Sequence, residues 1–322
     1  LLAPAGSPEA LRAAVEGGAD AVYFGASGFN ARAGARNFSD TELRRAVEFC
    51  HGRGVRVYLT LNTLIYDREL RDYLAAAETA YLAGVDALIV ADIGGAAALR
   101  RTFPDLPLHA STQMSGHSVG CAKELASLGF ERMVLAREMS FADIAGFTRT
   151  SPIEAEVFIH GALCVCHSGQ CLFSSMVGGR SGNRGECAQP CRLPYNGGKY
   201  PLSLKDNCLA GHIPELIDAH VASLKIEGRM KGPDYVGPVT AVYRRLLDGH
   251  RAATPEEIGY LAEIFSRSGF TDAYFTGNIS HAMLGTRTEA DKRRSAGRTV
   301  PYETKRGLPA VAVPSRAHKA DE

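Results

Sequence analysis

One phrase recurs along the chain in loosened form. An amphipathic helix ends at a small residue, and a short apolar run comes next: GGADAVYFG, LAGVDALIVAD, SLGFERMVLAR and DAHVASLKIEG. A glycine or its substitute stops the helix, and runs rich in Val, Ile and Leu read as strands buried on both faces. Between these copies lie LLAPA at the start, VRVYLTLN at 55–62, LPLHAST at 106–112 and IEAEVFIH at 153–160. Helical patterns such as PEALRAAVEGG, TELRRAVEFCHGRG and LRDYLAAAETAYLAG separate most of them. Eight strands alternating with helices predict a (β/α)8 TIM-like barrel, with an open doubly wound sheet as the alternative.

The residues just past each strand support the barrel. In order they are Pro4 and Gly6, Gly25, Asn62, Asp92, Thr112 and Gln113, Arg137 and Glu138, His160, then Glu227 and Arg229. In a barrel these ends share one rim, the face that carries active sites. The expected domain plan is a barrel over 1–250, a helical extension over 251–290, and a linker with the start of a further C-terminal domain over 291–322. The opening on LLAPAG without Met, and the ending LPAVAVPSRAHKADE, read as a fragment of a longer protein.

The seventh strand leads into a long excursion, roughly 161–210, which holds six of the eight cysteines. Loops of this length without regular structure are usually functional. Cys164 and Cys171 are spaced C-x6-C, and Cys187 and Cys191 are spaced C-x3-C. Four thiolates among Gly, Asn and Ser can converge on zinc or an iron–sulfur cluster. The wide first gap fits a zinc knuckle poorly, but spacing leaves both open. Cys166 could substitute for Cys164, and Cys208 could cap the inner wall of the site. Cys50 and Cys121, on predicted helices, read as small buried hydrophobes.

Hydrophobic residues make up 45% of the 322 and charged residues 22%, with a formal net charge of +1. That balance gives no global electrostatic case for nucleic acid. No apolar run is long enough to span a bilayer, and eight cysteines without a secretory signal point to a reducing, cytoplasmic setting. At the eighth strand, KIEGRMKGPDYV brings Lys225, Glu227, Arg229 and Lys231 in alternation. Lys225, Glu227 and Arg229 project to one side if the strand continues, either to hold an anion or to form an ion pair of Glu227 with Lys225 or Arg229. After the second strand, NARAGARNFSD offers Asn30, Arg32, Arg36 and Asn37. His109, His160 and His167 lie near strand ends or in the Cys segment, His160 being the best placed. There is no HExxH, GxSxG or Walker loop. The catalytic candidates are therefore Glu227, Lys225 and His160. The substrate-binding candidates are Arg32, Asn62, Gln113 and Arg229.

EVFIHGALCVCHSGQCLFSS resembles the signature segment of the U32 collagenase-like peptidase family. GGRSGNRGECAQPCR, SLKDNCL, SLKIEGRMK and the opening LLAPAGSPEALRAAVEGGADAVYFG resemble its other conserved segments, so the likeness runs to about residue 290. The resemblance implies oxygen-independent hydroxylation, of a ribosomal RNA cytidine, a transfer RNA uridine or a ubiquinone precursor. It implies a [4Fe–4S] cluster on Cys164, Cys171, Cys187 and Cys191, with prephenate as hydroxyl donor. The ending GFTDAYFTGN…MLGTRTEADK is most similar to the long members of the ribosomal RNA hydroxylase branch. RNA and a small anion such as prephenate are then the expected partners. The alternatives are the proteolysis that the family name promises, for which no complete nucleophile–base–orienter set is visible, and a metal-stabilised binding protein.

Overall fold

A computed structural model describes residues 1–26, 28–32, 36–295, 300–304 and 309–312. The first seven strands are β1 (Leu2–Pro4), β2 (Ala21–Gly25), β3 (Arg56–Leu61), β4 (Ala87–Val90), β5 (Leu108–Ala110), β6 (Phe130–Val134) and β7 (Glu154–Gly161). Each pairs in parallel with the next. β8 (Asp206–Cys208) runs antiparallel to the end of β7, outside the ring. β9 (Ser223–Ile226) pairs in parallel with both β7 and β1 and closes an eight-stranded barrel. All eight predicted strands are its staves.

The crossovers carry α1 (Pro8–Glu16), α2 (Asp40–His51), α3 (Leu70–Ala83), α4 (Ile93–Thr102), α5 (Val119–Ser127) and α6 (Phe141–Thr150). Except in α3, their starts are fixed by side chains that accept the first free backbone N–H groups: Ser7, Asp92, Ser118 and Ser140, and Ser39 in a reciprocal box with Glu42. A short α7 (Phe173–Gly178) lies in the excursion, and α8 (Ile213–Asp218) precedes β9. α9 (Pro233–Asp248) closes the ring of helices against α1, with Gly17 permitting the close approach to Thr240.

Beyond the barrel lie α10 (Pro255–Ile264), the two-residue β10 (Phe270–Thr271) and α11 (Ala273–Thr276). β10 extends β8 in parallel. After α12 (Glu289–Ser295), β11 (Val300–Glu303) and β12 (Pro309–Ala312) form an antiparallel hairpin, and Tyr302 packs against Gly237 of α9. The terminal segment beyond 312 lies outside the described residues.

Alternation along the staves divides two environments. Val22, Phe24, Val57, Leu59, Leu88 and Val90 face the helices, whereas Leu2, Tyr23, Tyr58, Ala87 and Ile89 form a separate cluster inside the barrel. TIM-barrel interiors are mostly branched aliphatics. Here part of the interior is ionic. Lys225 donates to Glu156 at 2.7 Å, Arg132 reaches Glu156 at 3.4 Å and Glu154 at 2.6 Å, and the ring of His109 lies edge-on to Tyr58. Burial holds His109 neutral, its pKa lowered to about 3.

Candidate active site at the barrel mouth

Glu227 sits one residue beyond β9, and two arginines from distant loops converge on it. Arg137, after β6, donates to one carboxylate oxygen at 2.8 Å, and Arg32, after β2, to the other at 3.3 Å. Burial alone would raise the pKa of this carboxylate. Arg32, Arg137, Arg229 and Lys225 outweigh that and hold it at about 2. Gly161 allows the approach: at φ +106° it is in a glycine conformation, and a Cβ there would lie 2.7 Å from the Glu227 carbonyl oxygen. The Tyr235 hydroxyl donates to the same carbonyl at 2.9 Å.

Arg229 forms the other wall. Its guanidinium donates to Thr60 Oγ1 at 2.6 Å and to Asn30 Oδ1 at 3.5 Å, and burial lowers its pKa to about 10. A Cβ on Gly6 would collide with the Arg229 carbonyl. Asn62 Oδ1 accepts from the Ala31 N–H at 3.0 Å, and its amide donates to Ser111 Oγ at 3.0 Å. Asn62 therefore holds the loop that presents Arg32 rather than meeting a ligand itself. Three arginines face one carboxylate, which leaves the mouth with surplus positive charge.

Several expectations change. Glu227 pairs with Arg32 and Arg137, not with Lys225 or Arg229. Lys225 is buried deeper in the barrel, tied to Glu156 and lying over the Tyr23 ring at 4.3 Å, so it is not a free rim cation. His160 is turned away from the mouth. The register of β7 against β9 shifts between Phe158 and His160, which re-aims the side chain toward Tyr243, at 3.1 Å, and the rings of Tyr235 and Phe270. Burial lowers its pKa to about 3. Arg36 leaves the site for surface pairs with Glu42 and Glu9. Gln113 contributes backbone: Gly169 of the Cys segment packs directly on it. The candidate list lacked Arg137, whose only sequence signal is a charge directly after an apolar run.

The Cys segment lies over this mouth on polar anchors. Ser168 donates through N–H and Oγ to Glu138, both at 2.8 Å, and Ser115 donates to the Ser168 carbonyl at 2.7 Å. Arg184 makes a forked pair with Glu69 at 2.6 and 3.1 Å. Arg192 donates to the carbonyls of Leu163 and Leu204. Cys164 and Cys187 are exposed, and Cys171 and Cys191 are part-exposed. They fall within electrostatic reach of one another: Cys191, whose thiol burial pushes up, also senses Cys164, Cys187 and Cys171. The Gln189 N–H donates to Cys187 Sγ at 3.4 Å, the kind of backbone donor that iron–sulfur sites use.

Among the described residues, no three His, Cys, Asp or Glu side chains stand close enough to hold a single metal ion. A zinc ion with Zn–S bonds of about 2.3 Å would need its sulfurs within roughly 4 Å of each other. A cluster interposes its own atoms between its ligating sulfurs and so takes a wider set than one ion does. Cys166, whose thiol burial pushes up, also senses Cys171 and Cys164 and borders the set. Cys208 does not cap the site: it is buried behind β7, with Sγ 3.6 Å from the Tyr243 hydroxyl. Cys50 is buried as expected, whereas Cys121 is only partly so.

The model of peptidase family U32 matches residues 6–284. The chain belongs to that family. Its curated relatives include the 23S rRNA 5-hydroxycytidine C2501 synthase of Escherichia coli K12, 44% identical over 85% of this chain and 42% of that protein. tRNA hydroxylation protein P1 of Bacillus subtilis 168 is 38% identical over 80% of this chain and 64% of its own length. A collagenase of Porphyromonas gingivalis is 34% identical over 86% and 73%. The chain thus spans less than two thirds of the first two relatives. No described helix is long and apolar enough to cross a membrane.

Proposed function

We propose that this U32 member is an iron–sulfur enzyme that hydroxylates a pyrimidine in RNA without molecular oxygen, a 23S ribosomal RNA cytidine first and a transfer RNA uridine second. The observation that carries this reading is the placing of four thiols over a cation-rich mouth in a chain 44% identical to the rRNA cytidine synthase.

Cys164, Cys171, Cys187 and Cys191 would hold a [4Fe–4S] cluster, which supplies one-electron chemistry when bound. Arg32, Arg137 and Arg229 bind carboxylates of an anionic hydroxyl donor, for which a dicarboxylate such as prephenate is suited. Glu227, ionised at neutral pH, keeps Arg32 and Arg137 oriented toward the mouth and can accept a hydrogen bond there. It does not serve as an acid, because its proton is lost far below working pH. The buried Lys225–Glu156 pair supports the floor.

Mass spectrometry of rRNA and tRNA nucleosides from a deletion strain tests the reading. One pyrimidine loses one oxygen, and the intact gene restores it while a Cys191→Ser copy does not. An unchanged nucleoside profile would refute the assignment.

A further inference from the structure

Large exposed apolar side chains gather on the mouth face. Leu64 and Tyr66, in the loop after β3, and Leu172, Met176, Val177 and Leu193, in the Cys segment, are between 48% and 83% exposed. Patches of this kind mark interaction surfaces. The surrounding charge is not neutral. Residues 162–205 hold five basic residues (Arg180, Arg184, Arg192, Lys199 and Lys205) against Glu186 alone, in a chain whose formal total is +1.

We propose that this rim docks single-stranded RNA and that Tyr66 is the platform on which an unpaired base stacks, with Arg68 meeting the adjoining phosphate. The inference rests on the RNA-hydroxylation reading and adds to it where the substrate is gripped outside the reacting centre.

Tyr66 is held for this role from below. Its backbone N–H donates to Glu69 at 2.8 Å. The Arg184 guanidinium lies 4.9 Å from its ring centroid, fixed there by its fork to Glu69 and by the Leu64 carbonyl at 2.7 Å. This fixed cation belongs to the Cys segment, so the platform is tied to the loop that carries the thiols. Arg68 lies 4.4 Å from the same ring, is exposed, and makes no ion pair among the described residues. It is free to yield the ring face to a base while keeping its charge for a phosphate. An aromatic ring interleaved with guanidinium groups is how single strands are bound without reading sequence.

The test is fluorescence anisotropy of a labelled single-stranded pyrimidine RNA with the full-length protein. Loss of the ring in Tyr66→Ala weakens binding roughly 5- to 100-fold, whereas Tyr66→Phe binds within about twofold of wild type. Arg68→Ala lowers the slope of log affinity against log salt by about 0.7. If wild type binds the RNA and Tyr66→Ala binds equally well, the platform is wrong and the RNA reading survives. If Tyr66→Phe is as weak as Tyr66→Ala, the hydroxyl and not stacking holds the base, and the proposal fails. A wild-type protein that binds no RNA at any salt overturns both readings.

Discussion

Replacing Arg137 with Met removes the shorter of the two ion pairs that hold Glu227. At 2.8 Å and an effective dielectric constant of about 20, the direct attraction is roughly 6 kcal/mol, against roughly 5 for Arg32 at 3.3 Å. Arg137 is also the better shielded, its side chain 12% exposed against 35% for Arg32. Desolvation cancels part of each attraction, and the usual penalty for leaving one buried partner unpaired is about 3–5 kcal/mol. Arg32 remains, so Arg137→Met should destabilise by about 3 kcal/mol. Glu227→Gln alone leaves the two arginines facing each other and should cost a similar amount. The double variant removes the conflict. Urea unfolding of all four proteins gives the coupling, expected at about 2 kcal/mol or more. Additivity within about 0.5 kcal/mol would show that the two groups do not act together and would refute this account of the mouth.

Single Cys→Ser changes at 164, 171, 187 or 191 should each abolish iron and acid-labile sulfide in protein purified without oxygen, while Cys50→Ser should retain both; equal loss in Cys166→Ser would put the ligand assignment in error. His160 and His109 have folded pKa values lowered to about 3 from 6.5, so their contribution to stability is complete above pH 6.5 and drains away as pH falls toward 3. Stability should fall by up to about 1.4 kcal/mol per pH unit for each histidine in that window, and His160→Asn should flatten the profile measured by urea unfolding. Gly6→Ala should destabilise by about 1–3 kcal/mol or more, because its Cβ collides with the Arg229 carbonyl; a wild-type melting temperature would show that the β1 loop yields freely.

The barrel was legible because its signal is local and repeated. GGADAVYFG and LAGVDALIVAD place a helix stop before an apolar run, and such runs became staves. Asn30, Arg32, Glu227 and Arg229 were visible as polar groups on strand ends, and a shared rim brings them together. Who pairs with whom was not legible. Lys225, Glu227 and Arg229 alternate in sequence, yet the pleat sends Lys225 to Glu156 within the barrel and leaves Glu227 to arginines 195 and 90 residues away. His160 comes after Glu156 and Phe158 in period two. A register shift at one residue turned it outward, and nothing in IEAEVFIH announces that shift. Arg137 carried no mark beyond its place after a strand, because its role depends wholly on the carboxylate it meets.

The central claim is that oxygen is placed on RNA at the Glu227 mouth beneath the four thiols. The most direct measurement replaces the chromosomal gene with a full-length Glu227→Gln copy, then quantifies the hydroxylated pyrimidine by mass spectrometry and the iron in the purified variant. The account predicts wild-type iron content with the hydroxylated nucleoside lost. Wild-type levels of that nucleoside would contradict it.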